Sequence, residues 1–261
     1  MSIGYMVERA ISTFGIFFTR RNEIPVIYYH DIVQEGSEYS YMRLSISAFK
    51  QQMNFLKENG FRPILFSEVT DNFLKGKTDK SILITFDDGY LSNYRIVFPI
   101  MEQLSFKFNI FLAAGLIDKN PEFLTWDMVR EMSHSNIVEF GAHTYNHLSA
   151  FQINQNNFDL EYKEANNIIE NFTMKKVDDF CFPFGHYNKK VLSELHNSKV
   201  YKRIYTSDYK KVESVNGCSS IGRAGISARD TINVFNKKIS GLYNGMYYYT
   251  KIRSLMRGLQ K

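Results

Sequence analysis

The sequence has little cysteine, tryptophan or proline: two Cys, one Trp and five Pro in 261 residues. Two thiols, Cys181 and Cys218, cannot build a disulfide framework, so the fold must rest on its core. Long runs of Lys or Arg are missing too, and 32 basic against 27 acidic residues leave a mild net charge of +5. That pattern excludes a nucleic-acid-binding arm, and no nucleic-acid partner is expected. The apolar stretch "AISTFGIFFTRR" (10–21) is short, with its charges after it rather than before. It fits neither a signal peptide nor a membrane span, so the expected compartment is the cytoplasm. Repeats, low-complexity tracts and Pro/Gly/Ser linkers are absent, which speaks for one domain.

What the chain does have is apolar mass, with 44% hydrophobic residues, 22 Phe and 17 Tyr. A core of that size tolerates buried charge where it is paired or bound to metal. Short β-rich runs stand at 24–30, 62–66, 81–88, 107–114, 137–143, 178–184 and 203–207, with helical patterns between them. In "SISAFKQQMNFLKENG", Phe49, Met53 and Leu56 follow helical spacing, Ser47 is a candidate cap and Gly60 a candidate stop. Thr125 opens a second helix, and "DLEYKEANNIIENF" (159–172) reads as a surface helix with an apolar stripe. About seven such alternations predict an α/β fold, either a parallel barrel or a doubly wound sheet. Both put functional groups at the C-terminal ends of strands.

That rule gathers the reactive side chains. His30 ends the first strand, Asp87 and Asp88 the third, His143 the fifth and Phe184 the sixth. Histidines at 143 and 147 share a face if the segment is a helical turn, and could then bind one cation together. An isolated pair of this spacing is also met as one core and one surface histidine. Asp88 is the natural third ligand: two imidazoles and one carboxylate leave positions open for water and substrate. The adjacent Asp87 would then stay free as a general base, the cation offsetting the repulsion between the two carboxylates.

These residues carry a resemblance. "TFDDGY" (85–90), "HTYNH" (143–147) and "FPFG" (182–185), in this order, resemble the polysaccharide deacetylases of carbohydrate esterase family 4. "IPVIYYHDI" (24–32) and "LSISAFKQQMNFLKENGFRPI" (44–64) resemble its biofilm-type branch, the poly-N-acetylglucosamine deacetylases. The resemblance implies a distorted, TIM-like (β/α) barrel of about seven strands in one domain over residues 24–243. Residues 1–23 would be an extension and 244–261 a basic, aromatic terminal helix. It also implies metal-dependent N-deacetylation of a GlcNAc-like sugar, with Asp87 as base and Asp88, His143 and His147 as metal ligands. Zinc is the expected metal; Ni2+, Co2+, Mn2+ and Fe2+ suit the same donors. A backbone N–H near Phe184 would support the oxyanion.

Two positions depart from the family pattern. Many members have arginine two residues before the proline of the third motif, where this chain has Cys181. Cys181 reads as a small buried apolar group. Arg223 could stand in for the missing arginine or contact substrate, although a surface ion pair is the plainer reading. Much of the family also uses a late histidine as acid, yet no histidine follows His196. His30 is the expected replacement, because the first and last strands of a closed barrel are neighbours. Tyr29 and Tyr90 are candidate sugar contacts, with Tyr28 and Trp126 as further stacking candidates. Phe17, Phe18, Arg20 and Arg21 together with Lys251, Arg253, Arg257 and Lys261 suit peripheral contact with an anionic inner-membrane face. The rival readings are an O-acetyl esterase, a non-catalytic glycan-binding barrel and a non-haem iron oxygenase. Oligomeric state is unreadable.

Overall fold

Apolar and aromatic runs take up the strands, and the amphipathic runs between them form the helices that cover the sheet. A computed structural model describes residues 25–38, 40–74, 80–208, 213–215 and 217–241. Within these the strands are β1 (Val26–Tyr29), β2 (Asp31–Val33), β3 (Arg43–Ser45), β4 (Arg62–Ile64), β5 (Ser81–Phe86), β6 (Phe108–Leu112), β7 (Val138–Ala142), β8 (Asp179–Cys181), β9 (Arg203–Thr206), β10 (Glu213–Val215), β11 (Cys218–Gly222) and β12 (Ala224–Gly225). The helices are α1 (Ile46–Glu58), α2 (Asp71–Leu74), α3 (Phe98–Leu104), α4 (Trp126–Ser133), α5 (Ala165–Thr173), α6 (Lys189–Ser198) and α7 (Ile232–Ile239).

All six residues of β5 are buried, so this strand needs cover on both faces. It runs parallel to β1 on one side; on the other, β4 pairs with its first half and β6 with its last residues. The sheet continues through β7, β8 and β9 to β11. There the chain does something no motif foretells. β11 pairs with β9, and after Arg223 the same extended stretch continues as β12, which pairs with β1. One segment thus joins both edges, closing a nearly complete barrel of seven staves. Its distortion is visible between β7 and β8, which share the register pair Ala142 and Phe180.

Two helix assignments are corrected. Ser45, not Ser47, caps α1, accepting the Ala48 N–H at 3.3 Å. The 159–172 segment is not simply a surface helix: it starts with a π-helical turn over Asp159–Glu164 that turns Glu161 and Tyr162 inward. Phe49, Met53 and Leu56 are buried and Thr125 caps α4, as the spacing predicts. Among the described residues no helix is long and apolar enough to cross a membrane. The 1–23 and 244–261 segments lie outside the described residues, and so do the residues on which membrane contact was expected.

Candidate active site

Asp87 follows β5 directly and is buried. Arg223 grips it from the barrel closure, Nη1 donating to Oδ1 and Nη2 to Oδ2 at 2.7 Å each. The guanidinium is fully buried, so it is held on every side. Nη1 also donates to Thr85 Oγ1 at 3.0 Å, Nη2 to Cys181 Sγ at 2.8 Å and Nε to the Thr206 carbonyl at 3.4 Å. The Tyr28 ring lies 4.4 Å from its carbon centre. Burial pushes the Asp87 carboxyl up, but Arg223 and, less strongly, His143 and His30 outweigh it and hold it below the usual carboxylate range. The surface ion pair expected for Arg223, and its candidacy as a substrate contact, are therefore corrected: its side chain has no exposed face to offer.

After Asp87 the chain turns sharply, with φ of 73° at Asp88 and 80° at Gly89. A Cβ on Gly89 would stand 2.7 Å from Leu112 Cδ2, so the position needs glycine. The turn aims Asp88 away from Arg223. Its Oδ1 lies 3.3 Å from His143 Nε2 and 3.0 Å from His147 Nε2. Even so, that buried oxygen has no aligned hydrogen-bond partner among the described residues. His143 Nδ1 stands 2.7 Å from the Cys181 carbonyl, an arrangement in which Nδ1 donates and Nε2 keeps its lone pair. Three acceptors facing one another in a buried site fit a cation between them. Burial raises the Asp88 carboxyl, and protonated imidazoles beside it would outweigh that and hold it below the usual carboxylate range. A second group, Asp87, His143 and Cys181, is also close enough to share an ion. It does not fit one: Asp87 and Cys181 both receive Arg223, and burial pushes the thiol well up, away from its ligand form.

The 143–147 segment is a strand-end loop, not the helical turn expected, with φ of 61° at Thr144 and 57° at His147. The rings nevertheless meet, their centroids 5.0 Å apart. What holds the loop is Glu161, which sequence reading placed on a surface helix. Its carboxylate accepts the Tyr145 and Asn146 N–H groups at 3.1 and 3.0 Å and the Asn146 amide at 2.7 Å. No local pattern links residues 145 and 161, so only the tertiary packing reveals this support.

His30 ends β1 with its ring edge-on to Tyr28, centroids 5.6 Å apart. Burial lowers its pKa first; Asp87 and Asp88 pull it back up, while Arg223 and His143 lower it further. Phe184, with φ of 59°, is exposed and stands 4.6 Å from the His147 ring. Left-handed backbone at Asp88, Thr144, His147 and Phe184 concentrates strain around the cluster, as functional sites often do. Tyr90 sits half-buried at the rim, stacked on Phe123, its hydroxyl pushed up to about 12 by burial and then by Asp88. Tyr29 is a correction: it is buried and donates to Gln52 Oε1 at 2.7 Å on the helix side of β1. Trp126 is another, stacked on Phe172 where α4 meets α5.

Residues 75–201 match the profile of the polysaccharide deacetylase family. Over 151 residues the chain is 30% identical to poly-β-1,6-N-acetyl-D-glucosamine N-deacetylase of Escherichia coli strain K12, a match covering 51% of this chain and 22% of that protein. The chain thus spans under a quarter of that relative's length. A solved polysaccharide deacetylase from Bacillus cereus superposes with a TM-score of 0.74 at 25% identity, over 83% of this chain and 69% of that one. IcaB from Ammonifex degensii gives 0.70 at 22% identity, over 85% and 97%, a likeness that bears on the fold alone.

Proposed function

We propose, from the match of residues 75–201 to the polysaccharide deacetylase family, that the chain is a metal-dependent hydrolase removing the N-acetyl group from a GlcNAc-like sugar of a polysaccharide or glycan precursor. The observation behind this reading is the division of labour between two adjacent carboxylates. Asp88 faces two imidazoles, while Asp87 beside them has both its oxygens held by Arg223. A binding module has no use for the second carboxylate.

Asp88, His143 and His147 would hold the cation, for which zinc suits the donor set. Bound there, it supplies Lewis-acid chemistry, polarising the amide carbonyl and acidifying water. Asp87 accepts a proton from the attacking water, whose oxygen bonds to the amide carbon. Arg223 fixes both Asp87 oxygens and so sets the direction of that transfer; it is a positioning residue. As the C–N bond breaks, His30 gives a proton to the leaving amine, and acetate and the free amine depart. The Phe184 N–H would offer a hydrogen bond to the carbonyl oxygen as it gains charge. Tyr90 contacts the sugar at the rim.

Acetate release from N-acetylglucosamine oligomers, with O-acetylated sugars in parallel, tests this reading. Release from the amides that stops on chelation is expected; release only from the esters would replace it with the esterase reading. Cytoplasmic placement and contact with an anionic membrane surface rest on composition alone, chiefly the basic and aromatic residues of 244–261. Liposome flotation at low salt tests the second, and no flotation ends it.

A further inference from the structure

Asp87, His30 and the Phe184 loop come from three separate stretches of chain, and one side chain outside the reaction connects them. Tyr28 stands two residues before His30, so the two side chains leave β1 on the same side. Their rings meet edge-on, with centroids 5.6 Å apart. The face of the Tyr28 ring covers the Arg223 guanidinium at 4.4 Å, and Phe111 lies 5.3 Å from the same carbon. The hydrogen bonds of Arg223 fix where the edges of its planar fork point. A ring against its face is what keeps that plane from tipping. Arg223 in turn holds both oxygens of Asp87.

The hydroxyl end of Tyr28 reaches the third stretch. It shares a hydrogen bond with the Ser207 side chain, just beyond β9. Ser207 rests directly on Gly185, the residue after Phe184: a Cβ at Gly185 would stand 2.9 Å from Ser207 Cβ. Space for the phenol comes from the barrel closure. Gly225 pairs with Tyr28 across β12 and β1, and the next residue, Ile226, donates its N–H to the Tyr28 carbonyl at 2.9 Å. A Cβ on Gly225 would lie 2.6 Å from the Tyr28 hydroxyl oxygen and from the ring carbon that bears it. Gly225 is not in the left-handed region, so the room it leaves, rather than its flexibility, is what Tyr28 uses.

We propose that Tyr28 is a positioning residue that ties these groups together: it holds Arg223, and through it Asp87, sets the His30 ring and, by way of Ser207, steadies the Phe184 loop. The roles of those groups rest on the deacetylase reading, and the test separates the two. Acetate release from N-acetylglucosamine oligomers and from O-acetylated sugars is measured with the metal-loaded full chain and its variants, below the unfolding temperature of each. Tyr28→Phe keeps the ring and loses the link to Ser207; it should lower kcat about fivefold, with KM and bound metal unchanged. Tyr28→Leu also removes the ring and should cost about 30-fold. Ser207→Ala should match Tyr28→Phe, and the two together should cost no more than one, because both cut the same link. Gly225→Ala should lower kcat in the unmodified background and cost nothing further once Tyr28 is leucine. A kcat within about twofold of the unmodified protein for both Tyr28 variants would overturn the proposal. So would a rise in KM with kcat unchanged, which would make Tyr28 a sugar contact, or additive losses for Tyr28→Phe and Ser207→Ala. Acetate from the esters alone removes the deacetylase reading, and the same comparisons of kcat on the ester then decide the role of Tyr28. No acetate from either substrate with the unmodified protein removes both.

Discussion

Two arginine–aspartate pairs with buried carboxylates occupy opposite ends of the barrel. At the N-terminal ends of β8 and β9, Arg203 grips Asp179 through Nε and Nη2 at 2.6 Å each, and Tyr205 adds a hydroxyl donor at 2.9 Å. At the C-terminal ends, Arg223 grips Asp87 with the same bidentate fork. The environments push the two carboxyls apart. Burial raises Asp179 despite Arg203, whose own guanidinium is raised in turn by Asp179. Asp87 feels the same burial, but Arg223 and the nearby imidazoles bring it below the usual range. The fork alone is therefore not a site. Asp179 spends its oxygens on Arg203 and Tyr205, whereas Asp87 stands beside His30 and the Asp88–His143–His147 cluster. The position follows the barrel rule that chemistry gathers where strands end and stability where they begin.

The comparison can be broken in several ways. Removing the proposed cation with a chelator, or one of its proposed ligands with His147→Ala, should cost most: acetate release should fall about 1,000-fold or more, restored in the chelated protein by added metal. Arg223→Met should lower kcat by roughly 100-fold, since Asp87, the proposed base, loses its orientation. It should also cost about 3–5 kcal/mol in urea unfolding, because it strands a buried carboxylate. Arg203→Met should show a similar stability loss of about 3–5 kcal/mol with kcat unchanged at a temperature where the protein is folded. A matching fall in kcat for both variants would erase the distinction between the two ends. Glu161→Gln should weaken metal affinity about 10–100-fold, as loss of an outer support does, read by competition with a chromogenic chelator. Tyr29→Phe should be the mildest: about 1–3 kcal/mol from the unpaired Gln52, and no change in KM.

The sequence made the upper end largely legible and the lower end hardly at all. Alternating strands and helices, a carboxylate pair after an apolar run, and histidines after another are local signals, and the strand-end rule placed them together. Tyr28 and Tyr29 show where local reading stops. β1 is buried on both faces, so its apolar run has no phase to say which tyrosine faces Arg223 and which faces α1. Arg223 is not marked as the base's partner by its own surroundings in the sequence, because β11 and β12 give weak strand signals and the closure they make is non-local. Glu161 and Asp179 carry no sequence mark that separates them from surface acids. Each is defined by residues 15 to 26 positions away.

Acetate release by the metal-loaded Asp87→Asn protein tests the central claim most directly, with metal content measured on the same sample. The account predicts retained metal, because Asp88, His143 and His147 are untouched, and turnover reduced by about two to four orders of magnitude. Unchanged turnover with the metal in place would contradict it and remove Asp87 from the reaction.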